Sequence, residues 1–242
     1  MIKSVVLLTF HYHGKYRLES STSDAYHTLQ WAQRHHLPVT WYVDQLPSYI
    51  FDPIIAAFFA TQSPRVIDNI ESILRAVPSY SMIIITGHGH QTGLYLTLTP
   101  QTRRILPWNH LLRSLVNPDL LIVIDCCHVP LLLPAVFTLN KWSLSGPMIR
   151  GQSERCYIIS SRHPQGEVIS SPGGSPLLNH VLMQLSLRHH RWDQWISDSL
   201  PHDLTMVINT NYTILETLPS WILTPWHFLY DYHRRLITSI EV

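Results

Sequence analysis

Met82-Ile83-Ile84-Ile85-Thr86-Gly87-His88-Gly89-His90 is the stretch that decides the fold. An apolar run without polar interruption, dominated by β-branched isoleucine, predicts a strand buried on both faces. The glycines on either side of His88 predict a tight exit where backbone can come close to a ligand. A second stretch is built the same way. Leu120-Leu121-Ile122-Val123-Ile124-Asp125 is another continuous apolar strand, followed at once by Cys126-Cys127-His128.

Outward from these two strands, apolar runs alternate with helical periodicity. Residues 5–10, 39–43, 156–160 and 204–208 read as strands, and 94–98 as a small hairpin. Helical spacing marks 24–34 with Ser23 as N-cap, 64–77 with Pro64 near its start, 107–115, 175–187 and 192–200. Residues 52–60 suit a short helix, and 129–154, rich in Pro and Leu, read as a long connection. Continuous apolar strands between helices predict an α/β fold with a largely parallel sheet covered on both faces. In such folds chemistry sits beyond the carboxyl ends of the strands. The segments 87–90 and 125–128 both occupy that position.

The 242 residues fit one large domain or two small ones, and 45% hydrophobic content argues for a folded globule. A net charge of +1 carries no electrostatic footprint for nucleic acid. The apolar run at 4–10 is too short to span a membrane. Three cysteines, two of them adjacent, make a disulfide framework a poor expectation and a reducing, intracellular setting the better one. Asn211-Tyr212-Thr213 matches a glycosylation acceptor and is read as chance.

A cysteine nucleophile works as thiolate. It needs an imidazole to take its proton and donors for the oxyanion that forms on attack. His88 and Cys127 supply the first pair. The backbone N–H groups of Gly89 and Cys127 are the expected oxyanion donors.

Strand-Gly-His-Gly followed by strand-Asp-x-Cys-His resembles the signature of metacaspases and related caspase-fold cysteine peptidases. The weaker likenesses are 18–25, 64–89, Ile159-Ser160-Ser161 and Gly174-Ser175-Pro176; together they extend from about 5 to 187. The resemblance implies a caspase-like fold in a single domain, with a large-subunit-like part over about 1–137 and a small-subunit-like part over about 155–242. It implies a Cys127 nucleophile, a His88 general base and acid, and an S1 pocket floored by Asp24 and Asp125. Two carboxylates there suit protein or peptide substrates with Arg or Lys at P1. Lys141, Arg150 and Arg155 lie where caspase-fold zymogens are cut.

The chain also departs from the family. Val129-Pro130 stands where the family has Ser-Gly. The acids that hold calcium in many metacaspases are absent from 129–140, which argues against calcium activation, and the sequence requires no cofactor. Arg162 near the second acidic position leaves an acidic P1 open. Two alternatives stand beside the peptidase: a caspase-fold regulator that binds without cleaving, and a zinc hydrolase built on His88, His90, Cys127 and His128. Cys126 and Cys156 read as core thiols, and His11, His13, His35, His36, His189 and His190 as surface residues.

Overall fold

The computed structural model describes residues 2–18, 20–45, 52–133, 135–138, 141–144, 156–162, 173–187 and 205–210, with 191, 195 and 222. Its frame is a nine-stranded sheet. In chain order the strands are β1 (Ser4–Thr9), β2 (Val39–Val43), β3 (Arg65–Val66), β4 (Ser81–Thr86), β8 (Leu120–Asp125), β9 (Ala135–Thr138), β10 (Lys141–Leu144), β11 (Cys156–Arg162) and β12 (Thr205–Thr210). The short strands β5 (Gly89–His90), β6 (Gly93–Leu98) and β7 (Arg103–Pro107) form a separate antiparallel sheet.

Across the large sheet the order is β10-β9-β12-β11-β8-β4-β1-β2-β3. The pairings from β11 to β3 are parallel, and those among β11, β12, β9 and β10 are antiparallel. The predicted parallel core is thus present, with an antiparallel extension on one side.

Strand periodicity divides the core in two. Val5, Leu7, Met82, Ile84, Leu121, Val123, Tyr157 and Ile159 face α1 (Ser20–Arg34) and α5 (Pro176–Ser186). Val6, Leu8, Ile83, Ile85, Ile122, Ile124 and Ile158 face α3 (Ile70–Ala76) and α4 (Trp108–Arg113). A short α2 (Pro53–Phe59), capped by the Asp52 side chain, packs Phe58 on Tyr26 and Phe59 on Trp41. No described helix is long and apolar enough to cross a membrane.

Three local expectations need correction. Helix α1 begins at Ser20, so Ser23 lies inside it. Ser20, Ser21, Thr22 and Ser23 are all buried, and Ser21 Oγ donates to the Phe10 carbonyl at 2.9 Å. Tertiary burial outweighs the modest helix propensity of Ser and Thr. The 64–77 segment is divided. Arg65 and Val66 pair with Tyr42 and Val43, and Asn69 caps α3 by accepting from the Ser72 N–H at 3.0 Å. The stretch 129–154 holds the β9–β10 hairpin, whose register runs Thr138↔Lys141 to Ala135↔Leu144. The expected helix over 192–200 lies almost wholly outside the described residues.

Ile84 is fully buried in the middle of the sheet. Ile84→Ala should lower unfolding free energy by about 2–5 kcal/mol, read as a shifted midpoint in urea denaturation.

Candidate active site

Parallel register brings three strand ends to one edge. Thr9 is opposite Thr86, and Thr86 is opposite Asp125. The chains leaving β1, β4 and β8 therefore emerge side by side. The Gly87 N–H donates to the Asp125 carbonyl at 3.3 Å, extending the β4–β8 ladder. Beyond it, Gly89 lies against the backbone of Cys127. A Cβ built on Gly89 would sit 1.8 Å from the Cys127 carbonyl oxygen and 3.1 Å from Cys126 Cβ. Only glycine permits this approach. The two loops singled out in the sequence are in contact through Gly89.

His88 Nε2 lies 2.9 Å from the Tyr16 carbonyl oxygen. A carbonyl only accepts, so this geometry assigns the proton to Nε2 and leaves Nδ1 of a neutral ring as the acceptor. The His88 N–H donates to the Tyr12 hydroxyl at 2.9 Å. Neither tyrosine was singled out in the sequence. The available signal was their place in a polar, aromatic segment just past the carboxyl end of a buried strand.

Burial separates the three thiols. Cys126 is buried and its thiol is pushed well above the ordinary range, by burial first and then by the charges of Asp125 and Cys127. Cys156 is buried and burial pushes it up to about 12. Both are core thiols, as expected. Cys127 is half-buried. After it, His128 takes a positive φ of 56°, which turns the chain back so that Val129, Leu132 and Leu133 enter the α3–α4 core. The apolar Val129 is thereby an anchor for the loop.

Asp24 and Asp125 meet through Ser175, the N-cap of α5. The Ser175 N–H donates to Asp24 Oδ1 at 2.6 Å, and its hydroxyl donates to Asp125. Gly174, at φ +94°, fits there because a Cβ would approach Asp24 Oδ1 to 2.9 Å. Both carboxyls are buried. Asp24 Oδ2 and Asp125 Oδ1 have no hydrogen-bond partner among the described residues. Burial pushes Asp125 up to about 6. Burial, and then the Asp125 charge, pushes Asp24 well above the carboxylate range, against the opposing hydrogen bonds of Ser175 and Ser20.

Arg162 ends β11 opposite Thr205; its side chain lies outside the described residues. Lys141 begins β10, whereas Arg150 and Arg155 lie outside the described residues. His90 Nδ1 accepts from the Thr92 N–H at 3.2 Å. Among the described residues no group of three or more His, Cys, Asp or Glu side chains is placed to hold a metal ion. The expectation that His11 lies on the surface is wrong. It is buried, and burial followed by the charge of Arg17 lowers it to about 4.

No family model and no curated protein matches the chain. Solved structures do. Caspase-1 from Spodoptera frugiperda aligns with a TM-score of 0.51 at 12% identity, covering 88% of this chain and 87% of that one. The chain has a caspase-like fold. A structure of pro-Sf-caspase-1 aligns at 0.50 and 12% identity over 89% of this chain and 94% of that one. A structural-genomics protein from Geobacter sulfurreducens aligns at 0.52 and 13% identity over 92% and 99%.

Because Asp125 titrates at a raised value in the caspase-like fold, the folded state holds a proton there that the unfolded chain has released. The associated stability is fully present below about pH 4 and is lost as pH rises through about 6. Asp125→Asn should therefore gain on wild type in thermal midpoint as pH rises from 4 to 6.5; a constant difference across that range would contradict the shift.

Proposed function

We propose that this chain is a metacaspase-like cysteine endopeptidase that cleaves after Arg or Lys, with Cys127 as nucleophile and His88 as general base and acid. The observation that carries this is the packing of Gly89 on the Cys127 backbone, which juxtaposes the loops of the two residues. The Tyr16 carbonyl on His88 Nε2 supports it further, since it leaves Nδ1 to accept a proton.

His88 takes the Cys127 proton, and the thiolate attacks the P1 carbonyl. The N–H groups of Gly89 and Cys127 hold the tetrahedral oxyanion. Collapse expels the amine, protonated by His88, and leaves a thioester. Water attacks the thioester, giving its proton to His88, and the acid product departs with the thiol restored. A P1 guanidinium or ammonium pairs with Asp24 and Asp125, whose unpartnered oxygens supply acceptors. Binding a cation there favours the ionised carboxyls, so P1-Arg recognition strengthens as pH rises through about 6.

A second reading, a caspase-fold regulator that binds without cleaving, draws support from one observation. Asp24 is fully buried, so a P1 side chain reaches it only if the site opens.

Cys127→Ala and His88→Ala should each cut turnover of an arginyl-P1 peptide amide by about 10³-fold or more, with near-wild-type melting. Turnover undiminished in Cys127→Ala contradicts the peptidase and favours another nucleophile. Absence of turnover in wild type favours the regulator.

A further inference from the structure

The phenol of Tyr12 touches His88 yet takes no part in the proposed chemistry. Tyr12 is 4% exposed and holds a left-handed backbone, at φ 55°. A bulky residue adopts that conformation only where its surroundings enforce it. Asp44, just past β2, provides the enforcement. Its Oδ1 accepts the His11 N–H at 2.7 Å and its Oδ2 accepts the Tyr12 N–H at 3.0 Å. Gln45 Nε2 donates to the Tyr12 carbonyl. Both backbone polar groups of Tyr12 are thus held from the β2 side of the sheet.

This backbone aims the phenol at the end of β4. The hydroxyl donates to the Tyr95 carbonyl at 2.8 Å and accepts the His88 N–H at 2.9 Å. The ring lies over the imidazole with centroids 4.9 Å apart and planes 35° apart. Gly87 gives way to it, since a Cβ there would lie 2.9 Å from the Tyr12 hydroxyl oxygen. His88 is accordingly fixed at three points: its backbone N–H, the face of its ring, and Nε2 on the Tyr16 carbonyl. Two of the three come from Tyr12.

We propose that Tyr12 is a positioning residue for His88, held in place by Asp44, and that its hydroxyl, by holding the His88 backbone N–H, sets the position from which the imidazole offers Nδ1 to the thiol. This rests on the peptidase function proposed above. Plain core packing would require only the ring, and phenylalanine would supply that equally.

Tyr12→Phe separates the two. Relative to wild type on an arginyl-P1 peptide amide, kcat should fall about tenfold or more while KM stays within about twofold. The pH–rate limb reporting the dyad should move, and the His88 amide should exchange with deuterium about tenfold faster, read well below the thermal midpoint of either protein. Asp44→Asn, which retains one carboxamide acceptor for the N–H donors of His11, Tyr12 and Gln45, should show the same split in milder form and carries the test if Tyr12→Phe does not fold. An active wild type with an equally active Tyr12→Phe, and an unmoved pH profile, overturns the positioning role alone. A wild type without turnover overturns the peptidase and this role together.

Discussion

The parallel pairing of β4 with β8 is the constraint on which the candidate site depends. Its register sets Thr86 opposite Asp125, so the segments beyond them leave the sheet at the same height. A shift of one residue would turn either Ile83 and Ile85 or Ile122 and Ile124 onto the wrong face of the sheet. Two buried faces therefore fix the register far more firmly than the loops could. Gly89 then lets the loops close the last few ångströms, because any side chain there would strike the Cys127 carbonyl. Core packing, rather than any bond between His88 and Cys127, determines where the two side chains begin.

The same edge gathers buried charge that an ordinary core would avoid. Asp24 and Asp125 face one another's field out of water, and Ser175 satisfies one oxygen of each. Leaving the other oxygens unpaired costs stability, of order 1–3 kcal/mol for an ordinary buried polar group and more for a charged one. Such a cost is tolerable where a cationic ligand supplies the missing partner. Tyr12 and His128 add left-handed backbone just past β1 and β8, so strain and unsatisfied acceptors fall at the same strand ends.

Much of this was legible in the sequence. The strands at 82–86 and 120–125 are continuous apolar runs, and such runs admit few other structures. The meeting of the 87–90 and 125–128 segments was legible because Gly-His-Gly and Asp-x-Cys-His directly follow those runs. What escaped was set by contacts distant in sequence. Ser20–Ser23 become helical because they are buried over the Phe10 carbonyl. The paired strands β9 and β10 come from a stretch whose Pro and Leu content suggests a connection. Nothing local reveals that His11 is buried, with its N–H held by Asp44. Tyr16 acts on His88 through its carbonyl, which every residue has, so its identity carried no signal.

The most direct test is a crystal structure of the chain after reaction with an arginyl chloromethyl ketone. The account requires a thioether on Cys127 Sγ, the His88 ring adjacent to it, and the guanidinium against Asp24 and Asp125. An unmodified Cys127, or a guanidinium directed away from both carboxylates, would contradict it.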